Sequence, residues 1–120
     1  MKIKKYKKVI CFDLDGVLCT NSNGNYIKAK PIKRNISLVN KLYIDRYKVK
    51  IFTARFMGRS KDKKSIAVKK AKKITIQQLK SWKVQYHTLI FGKPSYDILI
   101  DDKALFFKKN WAGLFLKRIK

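Results

Sequence analysis

Four short apolar runs constrain the fold of this chain more than any other feature: Val9-Ile10-Cys11-Phe12, Val49-Lys50-Ile51-Phe52, Thr88-Leu89-Ile90-Phe91 and Tyr96-Asp97-Ile98-Leu99-Ile100. Runs of this length and composition read as strands, the first as one buried on both faces. Between the first two, Ile36, Val39 and Tyr43, with Leu38 and Leu42 beside them, recur at helical spacing, and Pro31 suits the start of that helix. Between the second and third, Ser60 is placed to cap a long basic helix reaching about Trp82, with Ala67, Ala71, Ile74, Gln78 and Trp82 along one side. Strands alternating with helices predict an α/β fold, a three-layer Rossmann-like parallel sheet flanked by helices with right-handed crossovers. Residues 21–30, rich in Asn and containing Gly24, read as a short flap. No repeat or linker interrupts the chain, so its 120 residues predict one domain spanning 1–120.

Charge narrows the partners less than its size suggests. Lys and Arg number 31 against 7 acids, a net charge of +24, and all seven acids are Asp. Such a balance suits a polyphosphate, because clustered cations release its counterions. It equally suits a solvated surface of biased composition, since Lys far outnumbers Arg and Glu is absent. Nucleic acid is therefore an admissible partner and not the favoured one. Cys11 and Cys19 match neither a zinc knuckle nor a redox Cys-x-x-Cys pair, so reduced thiols in a cytoplasmic protein are expected. The basic start, Met1-Lys2-Ile3-Lys4-Lys5-Tyr6-Lys7-Lys8, resembles the front of a signal peptide. The apolar stretch behind it is cut short by Asp13 and Asp15, and no segment is long enough to span a membrane.

The scarcity of acids makes their placement informative. Asp13, Asp15, Asp101 and Asp102 stand directly after predicted strands, where an open parallel sheet binds its ligands. Converging carboxylates raise one another's pKa unless a cation neutralises them, and Mg2+ is the hard divalent ion that a few carboxylates hold while it keeps exchangeable waters. Thr53 ends the second run, and Lys93 follows the third within Phe91-Gly92-Lys93-Pro94. A hydroxyl, an ammonium and loop amides near Gly16 are the donors that a phosphoryl group needs. Arg55, two residues past Thr53, is within range of a substrate anion, although a structural role suits it better. His87, the lone histidine, near a strand start, is expected to be a packing or surface group.

These residues resemble the motifs of the haloacid dehalogenase-like phosphatases. In order, the chain carries Asp13-Leu14-Asp15-Gly16-Val17, Thr53 after an apolar strand, Lys93, and Asp101-Asp102 after Ile98-Leu99-Ile100. The resemblance implies that Asp13 attacks phosphorus, that Asp15 carries the proton, and that Thr53, Lys93 and Gly16 hold the phosphoryl oxygens. It further implies Mg2+ held by Asp13, the Asp15 carbonyl and Asp101, with Asp102 a second ligand or the residue that orients a metal-bound water. The intervals between motifs leave room for a short flap and no cap domain, so the site is open to a bulky substrate or closed by a second subunit in a homo-oligomer.

The flanking residues, notably Cys11-Phe12-Asp13-Leu14-Asp15-Gly16-Val17-Leu18-Cys19 and Phe52-Thr53-Ala54-Arg55, resemble small phosphatases of capsule and surface-polysaccharide biosynthesis. That implies a small-molecule phosphomonoester as substrate, a sugar phosphate or glycan building block. Two alternatives stand beside it: a phosphatase acting on nucleic-acid ends, and a non-enzymatic phospho-accepting or binding module. In receiver modules, paired acids come first and the phospho-accepting Asp later, whereas here the pair comes last.

Overall fold

In the computed structural model, which describes residues 5–120, three of the four apolar runs become strands. The first part of the basic start, residues 1–4, lies outside the described residues. Strand β1 (Val9–Asp13), β2 (Lys48–Thr53) and β3 (Thr88–Phe91) form a parallel sheet in the order β1-β2-β3. Helix α1 (Lys33–Ile44) links the first pair, α2 (Lys64–Ser81) the second, and α3 (Trp111–Arg118) ends the fold. This is the expected Rossmann-like α/β architecture, a parallel sheet flanked by helices.

Register places Phe12 beside Ile51 and Ile51 beside Leu89, so the three side chains share one face of the sheet. Ile36, Val39 and Leu42 of α1, Leu79 of α2, and Trp111 and Phe115 of α3 join Phe12 and Ile51 in one buried cluster. Leu14 and Leu18, both without accessible surface, extend that cluster beneath the loop after β1. Burying each contributes about 1.5–3 kcal/mol, which fixes the loop between the two leucines. Asn35 of α1 is also buried, and its Nδ2 donates to the Val17 carbonyl at 2.7 Å, tying the same loop to a helix.

Four local expectations are corrected. β1 is not buried on both faces: Val9 is 55% exposed and Cys11 is exposed, because the face they share with Lys48 and Lys50 of β2 is less covered than the face of Phe12 and Ile51. Tyr96-Asp97-Ile98-Leu99-Ile100 forms no strand, and Ile98 and Ile100 are 81% and 94% exposed. Helix α2 starts at Lys64 rather than at Ser60, since Lys61 and Asp62 take left-handed φ of 51° and 58°, which a right-handed helix cannot accommodate. Its buried stripe is Ala67, Ala71, Thr75 and Leu79, one residue round from Ile74 and Gln78.

The flap is present. Thr20 donates its N–H to the Lys30 carbonyl at 2.8 Å, and the Lys30 N–H returns to Thr20 Oγ1 at 2.9 Å. Between them lies one 3-10 turn, Tyr26–Lys28. Of the two roles open to His87 the structure shows packing: its ring stacks on Tyr43 at 4.4 Å, and its Nδ1 accepts the Val49 N–H at 3.0 Å. Among the described residues, no helix is long and apolar enough to cross a membrane.

Candidate active site

The carboxyl ends of the strands open into a cleft of about 370 Å³ lined by Asp13, Asp15, Arg55, Lys93, Tyr26 and Tyr96, among others. Asp13 is the last residue of β1, so the strand itself aims it at the cleft. Its Oδ1 accepts the Leu14 N–H at 2.9 Å, and its Oδ2 lies 3.4 Å from Lys93 Nζ. Burial pushes the Asp13 carboxyl above its ordinary value, opposed by the Lys93 charge and the Leu14 amide. Lys93 is held from the other side. Its N–H donates to the Thr53 carbonyl at 3.1 Å, which carries the chain across the end of β2 toward β1. Burial alone would lower the Lys93 ammonium; the Tyr96 side chain and the Asp13 charge outweigh it and hold the group above its ordinary value.

Asp15 has a different environment. Arg55 Nε lies 2.9 Å from Asp15 Oδ2 and its Nη2 lies 3.0 Å from Oδ1, a two-pronged ion pair. The Arg55 side chain has no accessible surface, and Asp15 keeps 18%. Arg55 Nη1 donates to Thr75 Oγ1 at 3.1 Å and to Gln78 Oε1 at 2.6 Å, and the guanidinium lies 4.8 Å from the centre of the Tyr26 ring. Gln78 Nε2 in turn donates to the Tyr26 carbonyl at 2.6 Å. The flap, α2 and the loop after β1 thus meet at one buried cation. Cys19 lies beneath them, its thiol 3.4 Å from Asp15 Oδ1 and pushed up to about 12, first by burial and then by the Asp15 charge.

Of the residues expected to carry chemistry, Asp13, Asp15 and Lys93 come together in this cleft. Thr53 lies behind them. It is 1% exposed and its Oγ1 accepts the Arg55 N–H at 3.1 Å, so it shapes the turn after β2. Gly16 supplies the turn geometry at φ 88°, but its N–H donates to the Cys19 carbonyl at 2.8 Å and is engaged there rather than aimed at a phosphate. Arg55 is not directed at a substrate anion, because every nitrogen of its guanidinium already has a partner in the protein.

Asp101 and Asp102 do not join the set. Both are exposed, and Asp101 accepts the Lys103 N–H at 3.0 Å, which holds its carboxyl below the ordinary value. The physical reason is the unformed fourth strand, which leaves the pair on a loop instead of at a sheet end. Among the described residues, no three His, Cys, Asp or Glu side chains group so as to hold a metal ion. Two carboxylates reach the cleft, and Arg55 pairs with one of them; as arranged, this donor set does not fit Mg2+. Tyr26, Gln78 and Tyr96 are residues of the site that sequence patterning missed. Only the tyrosines' closeness to the flap and to Lys93 gave any signal.

Comparison with known proteins places the fold and nothing finer. A crystal structure of an MCSG target from Vibrio cholerae superposes with a TM-score of 0.76 at 23% identity, covering 92% of this chain and 98% of that one. A chain of the Pnkp1/Rnl/Hen1 complex gives 0.55 at 18% identity over 96% of this chain. A chain from another structure, described as the Pnkp1/Rnl/Hen1 RNA repair complex, gives 0.54 at 17% over 94%. This chain spans only 36% and 32% of those two. No family model and no curated protein matches the sequence. The class defined by fold and site is a Rossmann-like α/β protein with a carboxylate and lysine cleft at the strand ends.

Proposed function

We propose that the chain is a phosphomonoester hydrolase of the haloacid dehalogenase-like type, working through an aspartyl-phosphate on Asp13. The observation that carries this reading is the pairing of Asp13 Oδ2 with Lys93 Nζ at 3.4 Å, at the carboxyl end of β1 and facing an open cleft. The other oxygen of Asp13 is fixed by the Leu14 amide, so Oδ2 is the one presented for attack. Lys93 lowers the repulsion between this carboxylate and an incoming phosphate dianion.

In the first step Asp13 Oδ2 bonds to phosphorus as the bond to the leaving oxygen breaks. Asp15 delivers the proton that oxygen needs. In the second, water attacks the phosphorus of the aspartyl-phosphate, its proton passes to Asp15, and phosphate and free Asp13 are regenerated. Asp15 accepts from Arg55 in the structure, so proton delivery requires its carboxyl to turn toward the leaving group.

Asn21, Ser95 and the Tyr96 ring line the cleft and offer hydrogen bonds and a flat apolar face, which suits a sugar phosphate or a nucleoside phosphate alike. The capsule-type sugar phosphate is supported by the residues around Asp13 and Thr53. The nucleic-acid end is supported by the fold shared with chains of an RNA repair complex. The test is phosphate release from para-nitrophenyl phosphate, sugar phosphates and phosphorylated oligonucleotides. Asp13→Asn abolishes release while its circular dichroism spectrum is unchanged; retained turnover rejects Asp13 as nucleophile. A stable phosphoprotein without turnover points instead to a phospho-accepting module.

A further inference from the structure

The exposed surface of α2 carries Lys64, Lys69, Lys70, Lys72, Lys73 and Lys80, and the helix holds no acid. A charge run of this kind is ordinarily a solvated face. Here it is joined to the cleft. A Cβ at Gly92 would fall 2.7 Å from Lys64 Cγ, so the Lys64 stem lies directly over the residue before Lys93. Ser95, which lines the cleft, donates its hydroxyl to Asp62 Oδ1 at 3.0 Å, two residues before the helix begins. The helix therefore starts at the rim of the cleft and leads away from it.

Lys69, Lys73 and Lys80 are all exposed and fall within about 40° of one another on the outer face of the helix, opposite the buried Ala67, Ala71, Thr75 and Leu79 and roughly 140–180° around from Lys64, at roughly 7, 13 and 24 Å of axial rise from it. At the cleft mouth, Tyr96 is 46% exposed with Lys93 Nζ 5.2 Å from its ring centre. On the flap side, Arg59 stacks on Phe56 at 4.6 Å and donates to the Gly24 carbonyl. An accessible aromatic beside a phosphate site, continued by a line of cations, is the arrangement that holds a single strand by base stacking and backbone charge.

We infer that the substrate of this site is the phosphorylated end of a single-stranded nucleic acid. The terminal phosphate sits against Asp13 and Lys93, the terminal nucleoside lies against Tyr96, and the following phosphates pass over the N-terminal end of α2 and run down its outer face along Lys69, Lys73 and Lys80. This inference rests on the phosphatase reading for its chemistry and on the lysine track for its substrate class. A small sugar phosphate leaves the track without a role.

Two measurements on the full chain separate those parts. Binding of a fluorescein-labelled 12-nucleotide oligouridylate to Asp13→Asn protein is followed by anisotropy against salt. Phosphate release is compared for 3′- and 5′-phosphorylated oligonucleotides of one to twelve residues and for para-nitrophenyl phosphate. The expected result is kcat/KM at least tenfold higher for the 12-mer than for the mononucleotide at one of the two ends. In the triple variant Lys69→Gln, Lys73→Gln, Lys80→Gln, that length dependence is lost and the salt slope of binding falls by about 2, given about 0.7 per phosphate contacted on a single strand. The same charge change at Lys108, Lys109 and Lys117 leaves both intact.

Rates independent of length, or equal losses in the two triple variants, overturn the track. Binding to phosphatidylserine vesicles without binding to the oligonucleotide does so as well. Lysine-dependent binding of the oligonucleotide with no phosphate release from any substrate keeps the track and removes the phosphatase reading. Release from para-nitrophenyl phosphate without oligonucleotide binding does the reverse.

Discussion

Arg55 and Asp15 form a two-pronged ion pair with Nε to Oδ2 at 2.9 Å and Nη2 to Oδ1 at 3.0 Å, across 40 positions of sequence, and the cation is the fully buried member. The asymmetry decides what a substitution costs. Removing Asp15 strands a buried guanidinium, whereas removing Arg55 leaves a carboxylate that still reaches water. Asp15→Ala is expected to lower unfolding free energy by about 3–5 kcal/mol, the range for breaking a buried pair from one side. Asp13→Ala, at a partly exposed position, costs less. Urea denaturation of the two variants checks the order; equal losses would remove Arg55 as the anchor of the loop after β1.

Gln78 links that anchor to the flap, accepting from Arg55 Nη1 at 2.6 Å and donating to the Tyr26 carbonyl at 2.6 Å. Leucine of similar size breaks both bonds and leaves one guanidinium nitrogen with Thr75 alone. The expected loss is about 1–3 kcal/mol of stability, from a buried donor left short of a partner. Limited proteolysis within residues 21–30 should also quicken as the flap loses its tie to α2. A Gln78→Leu protein with wild-type cleavage kinetics would mean that the flap's other ties, the Thr20 and Lys30 bonds and the Arg59 bond to the Gly24 carbonyl, hold it without Gln78.

The fold was readable where local pattern and burial coincide. The runs at Val9, Val49 and Thr88 became strands because each has a neighbour to pair with, and Ile36, Val39 and Leu42 became the buried side of α1. The run at Tyr96 has the same composition, but composition does not show whether a sheet edge is within reach; only residues 92–95 separate it from β3. The same limit applied to the site. Asp13 and Lys93 were legible because strand ends place them. Arg55, two residues past Thr53, is legible as a neighbour of the site, yet its pairing with Asp15 and the Gln78 bridge depend on how loop, flap and helix converge.

The raised carboxyl of Asp13 gives a signed pH prediction. A carboxylate whose folded value lies above its ordinary 3.8 favours the folded state most when protonated, so its contribution is full below 3.8 and is lost as pH rises through the folded value. Asp13→Asn should therefore gain thermal stability relative to the parent as pH is raised from below 4 to neutrality. For turnover the sign is opposite, since the nucleophile must be ionised: kcat/KM falls on the acid side at a pH above the ordinary carboxylate range. Lys93→Met moves that acid limb further upward by removing the opposing charge. Calorimetry and a pH-rate profile read the two effects, and an unmoved limb in Lys93→Met would sink the electrostatic coupling.

The segment carrying Asp101 and Asp102 leaves apolar surface unburied. Ile98, Leu99 and Ile100 are 81%, 53% and 94% exposed, and among the described residues no strand covers the outer edge of β1. Each such side chain gains roughly 1.5–3 kcal/mol on burial, so docking against the protein is favourable once the repulsion of added acids is offset. The magnesium dependence implied by the motif order needs those acids, and the cleft alone does not hold enough of them. The expected outcome is that Mg2+ with a phosphate analogue slows amide exchange across residues 98–103. Only if the pair joins the cleft in this way do EDTA and Asp101→Asn each reduce phosphate release. Exchange unchanged by Mg2+, together with full turnover in Asp101→Asn, would show that Asp13, Asp15 and Lys93 carry the reaction without the pair.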